Sequence, residues 1–195
     1  MKKLILGSQS PRRRELLENA GIDFEIITSD DEEVIDDRLD FSDMVKEVAE
    51  QKNAAVRRNE KCPEEAVVLT ADTMVVCGDK IMGKPKSAEN AFEMLGILSE
   101  NTHYVLTGYC ITDKKSGKTI SGTEKTKVKF RKIEDEEIRS YIATGEPFDK
   151  AGAYGIQLRG SMFVDSIEGD YFNIVGLPVC KVCKLLKEDF GIRIL

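Results

Sequence analysis

The N-terminal segment 7–14 combines the start of a helix with a cluster of positive charge. Ser10 suits the N-cap of a helix and Pro11 its first position, so the arginines at 12–14 fall within the first turn. The helix dipole disfavours cations there, whereas free backbone N–H groups and guanidinium groups together bind anions such as phosphate. The pattern therefore predicts a phosphate site. The alternative is a basic helix start whose side chains only extend into water.

The helical repeat distinguishes the three arginines from one another. The apolar residues that define the buried face of this helix are Leu16, Leu17 and Ala20. At about 100° per residue, Arg13 lies in the middle of that face, Arg12 lies at its edge and Arg14 points away. We therefore expect Arg12 and Arg13 to contact an anion and Arg14 to face solvent.

A single carboxylate, Asp72, interrupts an apolar run that is typical of a strand over 67–77. Because an ionised carboxylate is costly to bury alone, Asp72 should be paired, bound to a metal or exposed in a cleft. A carboxylate beside a phosphate site can accept a proton from water or hold a divalent cation. The pattern fits equally well a loop between two short strands, in which Asp72 caps its own backbone.

Two lysines occupy positions where the ammonium group must reach either water or an anion. Lys52 lies near the centre of the apolar stripe of a helix predicted over 43–57, with Ser42 as its cap. Its ammonium group either extends into water or reaches into a cleft and meets an anion. Lys84, in the tight turn 83–85, presents the same two alternatives.

The segment 145–157 is rich in small residues, which let a backbone approach a ligand closely. Asp149 and Lys150 supply charge within it, and Gln157 ends it with an amide. An amide donates and accepts hydrogen bonds at once, which suits the imide of uracil or thymine. The alternative is a structured loop that only covers the core.

Three further features favour structural roles. Cys180 and Cys183 lie on an amphipathic helix without a second pair at metal-binding spacing, which favours a place in the core. His103 stands at a predicted strand start, where a structural role is the simpler interpretation. The acidic stretch 29–40 is typical of a solvated loop, although Glu33 could face a cleft and bind a metal.

The elements that would position these residues alternate in type, which predicts an α/β or α+β fold with a mixed sheet. Strands are predicted at 3–6, 24–28, 67–77, 80–82, 103–112 and 119–130, and a hairpin at 162–167 and 171–175. Helices are predicted at 11–20, 43–57, 88–98, 134–143 and from 178 to 191.

Composition limits the possible function classes. With 195 residues, 41% of them apolar, the chain can form one ordinary or two-lobed domain, and no apolar run approaches the ~20 residues of a membrane helix. A net charge of −6 disfavours non-specific binding to nucleic acid, so an anionic ligand needs a local cluster of cations. Five cysteines, with Cys77, Cys110 and Cys180 in apolar surroundings, favour reduced, buried thiols in a cytoplasm.

Five motifs, taken in order, resemble those of the Maf family, which was named for inhibition of septum formation and is regarded as a family of nucleoside triphosphate pyrophosphatases. They lie at 8–13, 71–73, 83–85, 149–157 and 175–178, and the resemblance implies a single Maf-like domain over 1–195. Gln9 departs from the pattern, since Gly or Ala is frequent there. Segment 149–157 looks like that of the branch acting on dTTP and UTP rather than the branch preferring 7-methyl-GTP.

The resemblance also implies a fold, an assembly and a set of roles. The fold would be similar to the inosine triphosphatase type, an elongated, two-lobed mixed α/β structure with a central cleft, commonly homodimeric. Asp72 would be the general base, with substrate specificity set by Arg12, Thr73 and Gln157. The other polar positions that match the cleft are Ser8, Ser10, Arg13, Glu33, Lys52, Lys84 and Lys150.

The predicted reaction converts a nucleoside triphosphate and water into a monophosphate and pyrophosphate, on dTTP, UTP and modified pyrimidine triphosphates. Cations would neutralise the phosphates, and Mg²⁺ or Mn²⁺ would bridge phosphate oxygens to Asp72 and Glu33. Whether Asp72 acts as direct base or as metal ligand stays open. Two alternatives remain: a non-catalytic nucleotide-binding regulator of cell division, and an enzyme that removes damaged purine triphosphates.

Overall fold

The computed structural model describes residues 2–29, 31 and 33–194, and its elements alternate in type along the chain. The strands are β1 (Lys3–Leu6), β2 (Glu25–Ile26), β3 (Ala66–Cys77), β4 (Lys80–Met82), β5 (Thr102–Asp113), β6 (Thr119–Phe130) and β7 (Val164–Glu168). The helices are α1 (Pro11–Asn19), α2 (Phe41–Arg58), α3 (Ala88–Leu98), α4 (Asp135–Ile142), α5 (Tyr171–Val175) and α6 (Val179–Glu188). Short 3₁₀ segments connect α4 to β7. Within the described ranges, every helix is too short or too polar to span a lipid bilayer.

The strands form one seven-stranded sheet in the order β2-β1-β3-β5-β6-β7, with β4 added to β3. Strand β1 pairs in parallel with β2 and β3, placing Leu6 opposite Leu69, whereas β3–β4 and β6–β7 are antiparallel. The buried apolar residues of β1 and of the first half of β3 explain why these strands are central, because both faces are covered. The predicted mixed α/β class is confirmed.

The chain divides into two compact units, and the first boundary falls inside β3, between Asp72 and Thr73. The first unit comprises 1–72, 107–124 and 176–195, and part of its core is a cluster around Ile5, Val56 and Val68. The second unit comprises 73–106 and 125–175. Its core is rich in aromatic residues, namely Phe130, Tyr141, Tyr154 and Phe163.

The structure corrects the hairpin predicted at 162–167 and 171–175, whose first part is strand β7 paired with β6, and the predicted start of the second helix. Segment 171–175 is helix α5 rather than a strand, because the Asp170 carboxylate accepts a hydrogen bond from the Phe172 N–H (2.8 Å) and so caps a helical turn. Helix α2 begins at Phe41, since the cap is Asp40, whose side chain accepts from the Asp43 N–H at 2.8 Å. Ser42 therefore lies inside the helix.

The cysteine prediction is correct in part. All five cysteines are free thiols, and Cys110 is buried as predicted, whereas Cys77 is half-buried. Burial raises the pKa of Cys110 to about 11, so this thiol stays protonated at neutral pH. Cys180 is exposed and Cys183 half-buried, so the expected place of this pair in the core is wrong. The buried face of α6 is centred on Val182 and Leu186, and at about 100° per residue Cys183 lies at the edge of that face and Cys180 on its far side.

Candidate functional site

The start of α1 has the predicted cap. Ser10 is the N-cap and its hydroxyl accepts from the Arg13 N–H at 3.5 Å, while the Ser8 hydroxyl accepts from the Ser10 N–H at 3.2 Å. Gly7 allows this loop to lie close to β3, because a Cβ there would stand 2.6 Å from the Thr70 methyl group. Two hydroxyl groups and a helix N-terminus are therefore held together at the end of β1.

Arg13 is 8% exposed and is fixed at both ends of its guanidinium group. Its Nε donates to the carbonyl of Gly176 at 2.8 Å, and Nη1 donates to the Ser8 hydroxyl at 3.1 Å. Burial lowers the pKa of Arg13 and the charge of Asp72 opposes that effect, which places the guanidinium within electrostatic reach of this carboxylate.

The burial predicted from helical spacing is confirmed. Arg13 is buried, Arg12 is half-buried, and Arg14 is exposed and paired with Glu18 at 2.7 Å. The part that Arg12 and Arg13 play in binding an anion stays a prediction.

Asp72 lies within the continuous strand β3, so the interpretation of this segment as a loop between two short strands is wrong. The Lys52 ammonium donates to the Asp72 carboxylate at 2.5 Å and lies 3.7 Å from the Glu33 carboxylate. The Lys52 and Asp72 side chains are only 25% and 26% exposed, so the pair is partly shielded from water. Lys52 therefore reaches inward to an anion, as one of its two predicted alternatives requires.

Buried polar contacts fix helix α2 against the sheet and so determine where Lys52 points. The Asn53 amide, fully buried, donates to the carbonyls of Val68 (2.9 Å) and Cys110 (3.2 Å). The Thr70 hydroxyl donates to the carbonyl of Ala49 at 2.7 Å. Asn53 is not among the residues predicted from the sequence, although a polar residue on the apolar stripe of a helix is a usable signal for such a contact.

Gln51 is a second residue of the site that is not predicted from the sequence. Its amide pairs with both backbone groups of Val34, accepting from the N–H and donating to the carbonyl, each at 2.8 Å. This double contact ties the acidic stretch to α2 beside Glu33, which lies next to Lys52. No signal within the acidic stretch identifies Gln51, because the contact joins residues far apart in the sequence.

The carboxylates of Asp72 and Glu33 could bind a divalent cation that enters together with phosphate, but they do not form a complete metal site by themselves. Among residues 2–29, 31 and 33–194, no group of three or more acidic, histidine or cysteine side chains could hold a metal ion. Magnesium is commonly bound by one or two carboxylates together with phosphates and water. Asp72 and Glu33, both next to Lys52, supply two such carboxylates.

Segment 145–157 of the second unit, called the glycine-rich segment below, encloses a lysine. The Lys150 ammonium donates to the Glu146 carbonyl and the Asp149 carboxylate, each at 2.6 Å, and its side chain is only 14% exposed. A Cβ at Gly155 would stand 2.8 Å from Cε of Lys150, so a side chain there would displace the lysine. The small residues of this segment therefore make room for the chain itself.

The other predicted residues of the second unit differ in exposure. Lys84 is exposed on the turn after β4, and that turn contacts the glycine-rich segment because the Gly152 N–H donates to the Gly83 carbonyl at 3.1 Å. Thr73 and Gln157 are half-buried. Gln157 precedes a 3₁₀ segment without capping it through its side chain.

Within the first unit, hydrogen bonds and ion pairs thus join predicted residues into two groups. One group is Ser8, Ser10 and Arg13. The other group is Glu33, Lys52 and Asp72. The structural role predicted for His103 is supported: it is fully buried, with Nε2 2.8 Å from the Tyr154 hydroxyl. The central cleft stays a prediction.

Comparison with known proteins gives concordant matches. The family model described as Maf-like protein matches residues 3–189. A Thermoanaerobacter sp. (strain X514) protein is 49% identical over 193 residues, which cover 99% of this chain and 100% of that protein. A protein of Alkaliphilus oremlandii is 48% identical over 195 residues, covering 100% of both chains. One from Bacillus cereus (strain ATCC 14579) is 47% identical over 188 residues, 96% of each chain. All three are named dTTP/UTP pyrophosphatase.

Proposed function

This chain belongs to the Maf-like protein family, and from that membership we propose that it hydrolyses dTTP and UTP to their monophosphates and pyrophosphate. Curated relatives that carry this activity in their names, at 47% to 49% identity, support the choice of substrate. The observation that carries the proposal is the Lys52–Asp72 pair, at 2.5 Å, in the same unit as the Arg13–Ser8 contact. A protein that only binds nucleotide has no need of a carboxylate beside its cations.

In the proposed reaction, Asp72 accepts a proton from the water that attacks the α-phosphorus, and pyrophosphate leaves. Lys52 holds the carboxylate in place before substrate binds and can turn to a phosphate oxygen afterwards, since a lysine ammonium rotates freely on its stem. The residues that would neutralise the triphosphate are Arg12, Arg13, Lys52 and Lys84. Positioning and charge neutralisation provide most of the catalysis in such phosphoryl chemistry.

A divalent cation, Mg²⁺ or Mn²⁺, is the proposed cofactor, held by Asp72 and Glu33 together with phosphate oxygens. When bound, it would supply charge neutralisation at the phosphates. Ser8, Ser10 and Lys150 would bind the substrate by hydrogen bonds. Arg12, Thr73 and Gln157 would select it, with the Gln157 amide pairing with the imide edge of the pyrimidine.

The remaining elements of the proposal concern the whole chain. We propose that residues 1–195 act as one Maf-like domain, that two copies form a homodimer, and that the enzyme acts in the cytoplasm on free nucleotides. The resemblance of the five motifs supports the dimer and the single domain. The reduced state of the five cysteines is compatible with the compartment.

Release of pyrophosphate from a panel of triphosphates tests the function directly. Purified protein with Mg²⁺ should release pyrophosphate from dTTP and UTP much faster than from GTP, 7-methyl-GTP, ITP or XTP. Release from ITP or XTP alone would assign the chain to the removal of damaged purines. Binding of UTP without release from any triphosphate would favour the non-catalytic regulator of division.

A further inference from the structure

Glu146, a residue with no role in the proposed reaction, accepts four hydrogen bonds from other residues of the second unit. One carboxylate oxygen accepts from the Tyr141 hydroxyl at 3.0 Å and from the Gly160 N–H at 3.2 Å. The other carboxylate oxygen accepts from the Arg159 N–H at 3.4 Å. The backbone carbonyl of Glu146 accepts from the Lys150 ammonium at 2.6 Å. One side chain therefore joins helix α4 to the start of the 3₁₀ segment Leu158–Phe163.

Tyr141 connects Glu146 to the other end of the same short loop. Its buried ring packs edge-to-face on Phe163, with ring centroids 5.0 Å apart, and its hydroxyl accepts from the Gly155 N–H at 3.4 Å. Burial and the nearby Glu146 carboxylate raise the pKa of Tyr141 well above its usual value, so the hydroxyl keeps the proton it donates. Residues 155 and 160 therefore meet at one hydrogen-bonded pair, Tyr141 and Glu146.

The loop between these two ends is tight and strained. A Cβ at Gly160 would stand 2.2 Å from the Gly155 carbonyl, so the two backbones are in direct contact. Leu158 has a φ of 56° although it is not glycine, and it is 78% exposed, so packing of its side chain does not hold it there. Such a conformation costs on the order of 1 kcal/mol and persists only where the surroundings impose it.

Gln157 is the residue immediately before this strained position. Its backbone direction is therefore set by the same contacts that hold 155 and 160 together. We propose that Glu146, with Tyr141, is a positioning residue that fixes the orientation of Gln157 and thereby the preference for pyrimidine triphosphates. This rests on the proposed function, in which Gln157 pairs with the base, and Glu146 itself touches neither substrate nor metal.

The test compares kcat/KM for UTP and GTP in Glu146→Gln, Gln157→Ala and the double variant. Gln157→Ala should lower kcat/KM for UTP roughly 10- to 100-fold and that for GTP much less, because the imide loses a hydrogen-bonding partner. Glu146→Gln keeps the size of the side chain but turns an amide N–H toward a backbone donor, and should lower the UTP/GTP ratio about tenfold.

The double variant separates positioning from a general structural effect. If Glu146 acts through Gln157, adding Glu146→Gln to Gln157→Ala should change the UTP/GTP ratio by less than about twofold. Tyr141→Phe, which removes only a hydroxyl from a buried ring, should lower the ratio in the same direction. Glu136→Gln, an exposed glutamate in the first turn of α4, is the matched control and should leave the ratio unchanged.

Three results would overturn the proposal: UTP and GTP falling together in Glu146→Gln, effects that multiply in the double variant, or an unchanged ratio in Gln157→Ala. Failure of the proposed function is a separate outcome, since the wild-type protein would then release no pyrophosphate from UTP. In that case the ratio of UTP to GTP dissociation constants, measured by calorimetry on the same variants, decides the proposal by the same criteria.

Discussion

At the scale of single residues, a carboxylate inside an apolar strand needs a partner, and Asp72 has one in Lys52 at 2.5 Å. Replacing Asp72 by Asn keeps the shape but removes the proton acceptor. We expect Asp72→Asn to lower kcat more than tenfold, a loss above about 1.4 kcal/mol, while UTP still binds in calorimetry. Asp79→Asn, in the exposed turn between β3 and β4, is the control. Retention of more than a tenth of wild-type kcat would refute the assignment of Asp72 as the base.

Arg13 and Arg14 are neighbours with different surroundings, so their alanine variants should differ. Arg13→Ala should raise KM for UTP strongly and destabilise the fold by about 1–3 kcal/mol, because the Gly176 carbonyl loses its buried donor. Arg14→Ala removes an exposed pair with Glu18 and should change KM and stability little. Steady-state kinetics and urea denaturation measure the two quantities, and equal effects of both variants would contradict the role given to Arg13.

At the scale of elements, helix α2 provides the anchor for the acidic stretch through Gln51. Gln51→Ala removes both contacts with Val34 and should leave Glu33 less well placed. We expect the Mg²⁺ concentration for half-maximal activity to rise on the order of tenfold, as is usual when a residue that orients a metal ligand is lost. Glu47→Ala, one turn earlier on α2, is the control. An unchanged Mg²⁺ requirement would show that Glu33 needs no such anchor.

Sequence predicts elements best where periodicity and caps agree. The first strand, the Ser10 cap and the burial order of the arginines all follow from short-range patterns, and the structure confirms them. The sequence predicts a strand where helix α5 lies, because five residues carry too little periodicity to reveal the Asp170 cap. The contacts of Gln51 and Glu146 are invisible to local patterns, since each partner lies many residues away or on a different element.

At the scale of the whole molecule, the stability of the fold should depend on the single histidine. Burial lowers the pKa of His103 to about 4, whereas the unfolded chain has the ordinary value near 6.5. Between these values the unfolded state binds a proton that the folded state does not. Stability therefore falls as pH is lowered through this range, by about 3 kcal/mol in total.

Urea denaturation between about pH 7 and pH 4 measures this loss. In His103→Gln, whose side chain does not titrate, the decrease over that range should be smaller by up to the same amount. Carboxylates contribute equally to both proteins, so the difference between the two curves isolates the imidazole. Superimposable curves would show that His103 keeps its ordinary pKa in the folded protein.

The burial of His103 also makes the folded second unit spectroscopically distinctive. The imidazole packs edge-to-face against Phe130, at 4.8 Å between centroids, and against Tyr154, at 5.4 Å. Aromatic ring currents at these distances displace the imidazole proton resonances from their positions in an unstructured chain. Because the sequence contains one histidine, those resonances need no assignment. The protein therefore carries a native NMR reporter of the packing of its second core, readable in every variant that retains His103.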